Sequence, residues 1–305
     1  MDTGRASLTA MGTSLMRAHH THSAREPLIH DPWGDRLVSE ADRERLRQMS
    51  LSGLPAKDRE PLEALEPDEL TTVFLSSHPS YGTVIIRTRY AEDALADAVA
   101  RGVRQFVIVG AGLDSFALRR PAFATDVEVF ELDHPDTQEV KLERLAQCGV
   151  QSPPRVQFIA ADLGVEGIDQ ALMRSSFDSG RPSFFSWLGV TVYLTREANM
   201  KTLRAIASCG APGSELVFDF IDQRAFDSPP TDADTARARE QFASVSEAWV
   251  SGFHPPELAE DLRAVAFELL EDLGPDDLRE RYCTGREDEL APAPGHHVAR
   301  ARVAR

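Results

Sequence analysis

Gly110 and Gly112 flank Ala111 in the segment VGAGLDS, at the end of the apolar run Gln105–Val109. Glycine adopts positive φ freely and carries no Cβ, so such a turn lets a ligand approach the backbone closely. A glycine pair after a first strand is a nucleotide-site pattern. In the dinucleotide fingerprint G-x-G-x-x-G the third glycine would fall at Ser115, so the match to a nicotinamide site is incomplete. Asp133 follows Gly112 by 21 residues, at the end of a second apolar run. An acid about 20 residues beyond the glycine turn commonly accepts hydrogen bonds from ribose hydroxyls. Glu131 shares its side of an extended strand, and only one of the two need touch a ligand. Asp162, followed by Leu163, ends a third run. There an aspartate can accept from an adenine amino group while its neighbour packs the ring. Each acid also has a plain reading as a helix cap or turn residue. The glycine turn favours the ribose role for Asp133.

Other side chains could act on a substrate. Arg87 and Arg89 lie two residues apart in IIRTRYAED and point in different directions on a helix. One of them reaching the nucleotide site could clamp a carboxylate through its bidentate fork. Trp187 and Tyr193, in WLGVTVYLT, could wall a pocket or simply fill the core. His19, His20, His22 and His30 cluster near the N-terminus, and His134 and His254 stand apart. His20, His254 and Tyr193 are the candidates for a proton acceptor. The spacing of His19, His20 and His22 matches no zinc motif, and no metal is expected. A nicotinamide-dependent oxidoreductase should also show a Tyr-x-x-x-Lys pair or similar. Four residues beyond Tyr81, Tyr90, Tyr193 and Tyr282 stand Ile85, Ala94, Glu197 and Arg286.

These residues sit at the ends of strand-length apolar runs: Gln105–Val109, Val127–Leu132, Val156–Ala160, Ser183–Leu188 and Glu215–Ile221. Helical patterns separate them, over residues 134–149 and over 195–209, where Thr195 is a plausible N-cap. Such alternation predicts an α/β fold with a mostly parallel sheet covered on both faces. Ligands of these sheets bind beyond the carboxyl ends of the strands. Residues 1–82 read as a proline-broken helical cap and 83–305 as the sheet-bearing core, in one structural domain. Residues 222–250 read as an insertion, a turn-rich acidic loop and then a helix to about Val250. Further on come a helix from about Pro255, a strand at Ala266–Asp272, and HHVARARV as a final edge strand.

The chain has 305 residues and a net charge of −16. That balance disfavours nucleic acid or an anionic membrane as partner, since both attract a basic face. No run approaches the ~20 apolar residues of a spanning helix. The N-terminus lacks a signal peptide's apolar core, so a cytoplasmic location is expected. Cys148, Cys209 and Cys283 are too few and scattered for a disulfide framework.

The order RTRY, VGAGLDSFALR, FELDHP, AADL and FSWLGVTVYLT resembles the leucine carboxyl methyltransferase-like family. The bacterial branch of S-adenosylmethionine-dependent O-methyltransferases, many linked to polyketide or secondary metabolism, is the nearer likeness. LIHDPWGDRLV, WVSGFHPPELAEDL and LEDLGPDDLRERY extend it to roughly residues 7–304. The resemblance implies a class I methyltransferase (Rossmann-like) fold of seven strands, the last antiparallel. It implies S-adenosylmethionine as cofactor and a hydroxyl or carboxyl oxygen of a small molecule as acceptor. Carried over, it assigns Arg87 to the methionyl carboxylate and Gly110, Ala111 and Gly112 to the cofactor turn. Asp133 then serves the ribose, and Asp162 with Leu163 the adenine. Many relatives carry a glutamate at the end of the fourth strand, before a Tyr-Leu pair; here no acid lies near Trp187. Without that glutamate, the other reading is a protein that binds the cofactor and does not turn over.

Overall fold

The computed structural model describes residues 8–151, 153–226, 236 and 249–304. The strands are β1 (Gln105–Val109), β2 (Glu128–Asp133), β3 (Val156–Ala160), β4 (Phe184–Trp187), β5 (Glu215–Ile221), β6 (Phe267–Leu273) and β7 (His296–Val303). They form one sheet in the order β3-β2-β1-β4-β5-β7-β6. The first five pair in parallel, and β7 runs antiparallel to both β5 and β6. The sheet is therefore mixed, with its last strand reversed, as in a class I methyltransferase fold. The apolar runs at Gln105–Val109, Val156–Ala160 and Glu215–Ile221 coincide with β1, β3 and β5, and the other two differ from β2 and β4 by one residue at each end.

HHVARARV is an interior strand, not the edge strand expected; the edge is β6. Val298, Ala299, Ala301 and Val303 are buried, so β7 packs on both faces. Its polar look comes from Arg300 and Arg302, which turn toward the buried carboxylate of Glu215 on β5. An ion-paired arginine can lie inside a sheet that excludes an unpaired one.

The helices are α1 (Leu8–Ser23), α2 (Glu40–Ser52), α3 (Ala56–Glu63), α4 (Pro67–Ser76), α5 (Tyr81–Ala100), α6 (Phe116–Arg119), α7 (Pro135–Gln147), α8 (Ile168–Leu172), α9 (Arg196–Cys209), α10 (Leu258–Arg263) and α11 (Pro275–Cys283). Pro67 opens α4, where its missing N–H costs nothing. The Thr195 side chain caps α9, accepting from the Ala198 N–H at 3.2 Å. The cap of α7 is His134, not Asp133, which leaves the aspartate for other use. The helix expected in the insertion lies outside the described residues. No helix among the described residues is long and apolar enough to cross a membrane.

Alternation along the strands divides the core. Val107, Phe130, Phe185, Trp187 and Phe218 face α8, α9 and α10. Phe106, Ile108, Val129, Phe184 and Val217 face α5 and α11. Glu131 lies within β2, fully buried, and is ion-paired to the buried Lys141 of α7. Burial raises its carboxyl to a pKa of about 7 despite Lys141. The pairing commits Glu131 to the core and removes it as a ribose ligand.

Removing one partner of a buried ion pair leaves an uncompensated charge, at a cost of about 3–5 kcal/mol. Lys141→Met should lose that much at pH 8 in urea denaturation. Because the folded-state pKa of Glu131 is raised, the proton it takes stabilises the fold below about pH 4.5, and that help is lost as pH rises through 7. The variant's deficit should therefore shrink at pH 5. Equal deficits at the two pH values would contradict this account.

Candidate active site

The carboxyl ends of β1, β2 and β3 bring the predicted nucleoside residues together. Gly110 (φ +72°) and Gly112 (φ +51°) take the left-handed conformation that the turn after β1 needs. The N–H groups of Gly110 and Ala111 both donate to the Leu132 carbonyl, at 2.9 and 3.0 Å, which locks the turn onto β2. A Cβ on Gly110 would lie 2.7 Å from Val190, and one on Gly112 would lie 3.1 Å from Ala10 of α1. The turn is thus a cradle that only glycine fits. The Asp133 carboxylate accepts from the Gly112 N–H and, at 2.6 Å, from the N–H of His134. Burial raises its pKa, while those two donors act in the opposite direction. Asp162 turns its carboxylate to the Gly164 N–H at 2.9 Å, and His134 Nε2 lies 3.9 Å from it. Leu163 packs against the core beside it. Asp162, Asp133 and the glycine turn therefore line the carboxyl edge in sequence, as a nucleoside needs.

Gly189 and Thr191, on either side of the Val190 that neighbours the turn, line a cavity of about 720 Å³. That is within the ~300–1,000 Å³ typical of small-molecule sites. Its outer wall is mostly apolar, with Leu46 and Met49 from α2, Leu62 from α3, and Phe74 and Leu75 from α4, and it also carries Arg43 and Arg47 of α2. Gly12 and Met16 of α1 form a side, and Tyr193 lines it as expected. Its inner end is polar. Arg87, Thr191, Asp219 and His296 meet there.

Of Arg87 and Arg89, Arg87 lines the cavity. Arg89 is held by Asp93 at 2.9 Å, one turn along α5, and by the Leu28 carbonyl at 3.2 Å. Nη1 of Arg87 donates to Asp219 Oδ2 at 2.8 Å. The guanidinium has five N–H donors, so donors remain for a ligand carboxylate. Gly189 (φ +70°) allows this approach, because a Cβ there would stand 2.5 Å from Nη2 of Arg87.

Asp219 escaped the sequence reading. The available signal was a carboxylate inside the apolar run ELVFDFI, where an unpaired charge is costly. Here Asp219 Oδ1 accepts from the Gly189 N–H at 2.6 Å, and Oδ2 from Arg87 and from His296 Nε2 at 3.0 Å. Burial opposes its ionisation, yet Arg87, His296 and the Gly189 N–H outweigh it and hold the carboxyl below its ordinary range. No acid adjoins Trp187 in sequence, and Leu188 packs against the core there. The acid beside Gly189 is Asp219, from the neighbouring strand.

Two of the three proton-acceptor candidates fall elsewhere. His20 is fully buried; its Nε2 accepts from the Leu28 N–H at 3.0 Å, so a neutral ring donates from Nδ1 to the Tyr81 hydroxyl at 3.1 Å. With both nitrogens engaged it has no lone pair to offer, and burial lowers its pKa to about 4. His254 precedes a 3-10 turn at Pro255–Glu257 and is not part of the cavity wall. Of the other early histidines, His22 pairs with Asp35 at 2.9 Å and His19 packs on the Tyr81 ring.

A glycine cradle, an acid after β2 and an adjoining cavity at the carboxyl edge define a nucleoside-dependent transferase of the class I methyltransferase type. The leucine carboxyl methyltransferase family model matches residues 10–207, and the chain belongs to that family. It is 29% identical to a candidate S-adenosyl-L-methionine-dependent methyltransferase, YktD, from Bacillus subtilis (strain 168), over 99% of each chain. A candidate methyltransferase of the same kind from Mycobacterium tuberculosis (strain ATCC 25618 / H37Rv) is 33% identical, over 79% of this chain and 74% of its own. In fold, the chain is similar to a DUF574 family protein from Streptomyces avermitilis MA-4680, with a TM-score of 0.59, 16% identity and 98% of each chain covered. A candidate methyltransferase from Thermobifida fusca YX gives a TM-score of 0.58 and 15% identity, covering 100% of this chain and 97% of its own. The protein is an S-adenosylmethionine-dependent methyltransferase.

Hydrogen bonds to charged groups contribute ~1.5–3 kcal/mol, or roughly 10- to 100-fold in affinity. Asp133→Ala should weaken S-adenosylhomocysteine binding by that factor in calorimetric titration. Arg89→Ala should leave it within twofold. Unchanged affinity in a folded Asp133→Ala protein removes the ribose assignment, and a large loss in Arg89→Ala means that the wrong arginine has been chosen.

Proposed function

We propose that the protein transfers a methyl group to a hydroxyl or carboxyl oxygen of a small molecule, in secondary metabolism. The cavity carries this reading. Its mostly apolar outer wall suits an apolar body, and its polar inner end includes Gly189 and Thr191, the chain neighbours of the Val190 that stands against Gly110. In this reading Arg87 binds the methionyl carboxylate, Gly110 to Gly112 and Asp133 hold the ribose side, and Asp162 with Leu163 receives the adenine.

S-adenosylmethionine supplies an activated methyl on a sulfonium, and the protein need not furnish a nucleophile. Its task is to set the acceptor oxygen in line with the departing sulfur and to exclude water. Positioning of this kind contributes ~7–11 kcal/mol in favourable cases. Helix α1 serves both ends. Ala10 packs on Gly112, and Nη2 of Arg17 donates to the Leu113 carbonyl at 2.8 Å. Gly12 and Met16 meanwhile line the cavity. Arg17 is fixed in turn by Asp31 at 2.9 Å.

Gly12 offers a test, since a Cβ there meets nothing within 4 Å. Gly12→Phe should project a ring into the cavity. Transfer of tritiated methyl to a panel of phenols, alcohols and carboxylic acids should fall by an order of magnitude or more, while S-adenosylhomocysteine binding stays within twofold. A variant that methylates its acceptors as well as the parent chain would show that they bind outside this cavity.

A further inference from the structure

We propose that His296 is the general base of the reaction, positioned by Asp219, and that the acceptor is accordingly the hydroxyl of a phenol or alcohol with an apolar body. The inference rests on the methyltransferase reading above and chooses between the two oxygens it left open.

Strand β7 runs antiparallel to β5, so its first residue, His296, lies opposite Ile221 at the carboxyl edge of the sheet. The side chain is buried and forms part of the cavity's inner end. Nε2 lies 3.0 Å from Asp219 Oδ2. Asp219 also accepts from Arg87 and from the Gly189 N–H, and an ionised carboxylate is acceptor-only. The imidazole nitrogen facing it must therefore carry the proton. In a neutral ring the lone pair is then on Nδ1. Nδ1 is buried and has no hydrogen-bond partner. A buried lone pair without a donor is a defect in a structure at rest, and in the proposed complex an acceptor O–H at the inner end of the cavity, reached by a small turn of the ring, supplies that donor.

The surrounding charges suit the role. Asp219 faces the ring from β5 and Arg87 from α5. His297, next on β7, lies with its ring stacked on Phe220 and bonds to Asp272 at 3.0 Å. Burial lowers the pKa of His296, Asp219 opposes this, and Arg87 and His297 add to the lowering. The ring is neutral at pH 7 and able to take a proton. Once protonated, it stands against a carboxylate that stabilises it.

In the step, the acceptor O–H proton passes to Nδ1 as the oxygen forms its bond to the methyl carbon. The methyl–sulfur bond breaks, and its electron pair stays on sulfur, which becomes a neutral thioether. The proton leaves the imidazolium for solvent after product release. A carboxylate acceptor is ionised at pH 7 and needs no such base.

The test uses the full chain, tritiated S-adenosylmethionine and two probes sharing one body, 1-naphthol and 1-naphthoic acid. The expected result is labelled methyl on naphthol, with kcat/KM rising through an ionisation below pH 6.5. His296→Gln should lower kcat by roughly 100-fold or more, abolish that limb and leave the Kd for S-adenosylhomocysteine within twofold. Methylation of naphthoate at a rate that His296→Gln retains overturns the proposal. Nitrogen NMR of His296 in the wild-type complex with S-adenosylhomocysteine decides independently of turnover and of the variant's folding. A neutral ring at pH 7 with its proton on Nε2 supports the assignment, and a proton on Nδ1 or a charged ring overturns it. Failure to bind S-adenosylhomocysteine at all would sink the cofactor reading instead.

Discussion

A carboxylate sealed inside a sheet must find donors, and Asp219 organises the site by doing so. Its three donors come from three separate elements: Arg87 from α5, the backbone of Gly189 after β4, and His296 at the start of β7. Each is thereby fixed in position relative to the others. Thr191 adds a fourth tie, its hydroxyl donating to the Asp219 carbonyl at 2.6 Å. The glycine at 189 follows from this arrangement, because the guanidinium occupies the space a side chain would take. The low dielectric that makes an unpaired Asp219 prohibitive also strengthens each of its bonds.

Around this hub the molecule divides its labour along the carboxyl edge. One part is built from backbone, a turn that only glycine fits, followed by the half-buried Asp133. The cavity is built from side chains, and much of its wall comes from α1 to α4. Helix α1 touches both, through Ala10 at the turn and through Gly12 and Met16 at the cavity. At the inner end of the cavity Arg87 is already paired with Asp219.

Much of the core was legible before any coordinates. Near-continuous apolar runs belong to strands buried on both faces, and β1, β3 and β5 have the bounds the sequence suggests. The N-cap at Thr195 and the glycine turn were legible too, because caps and positive-φ positions depend on local chemistry alone. Glu131 and Asp133, one strand side apart, could not be told apart in the sequence. In the fold Glu131 pairs with a lysine ten residues on, in the core, and Asp133 does not. His20 looked available as a base because nothing local reveals that Leu28 and Tyr81 use both of its nitrogens.

The sequence by itself determined the sheet class, the glycine turn, the acid that follows it and the family, since these reside in short segments and their order. Only the tertiary structure decided that β7 lies inside the sheet and not at its edge. Strand order depends on which distant segments pair, here on Glu215 drawing Arg300 and Arg302 inward. It alone decided which arginine faces the cavity. It also set Asp219 beside His296, residues 77 positions apart. Burial and hydrogen-bond satisfaction are properties of the packed chain, and no local pattern encodes them.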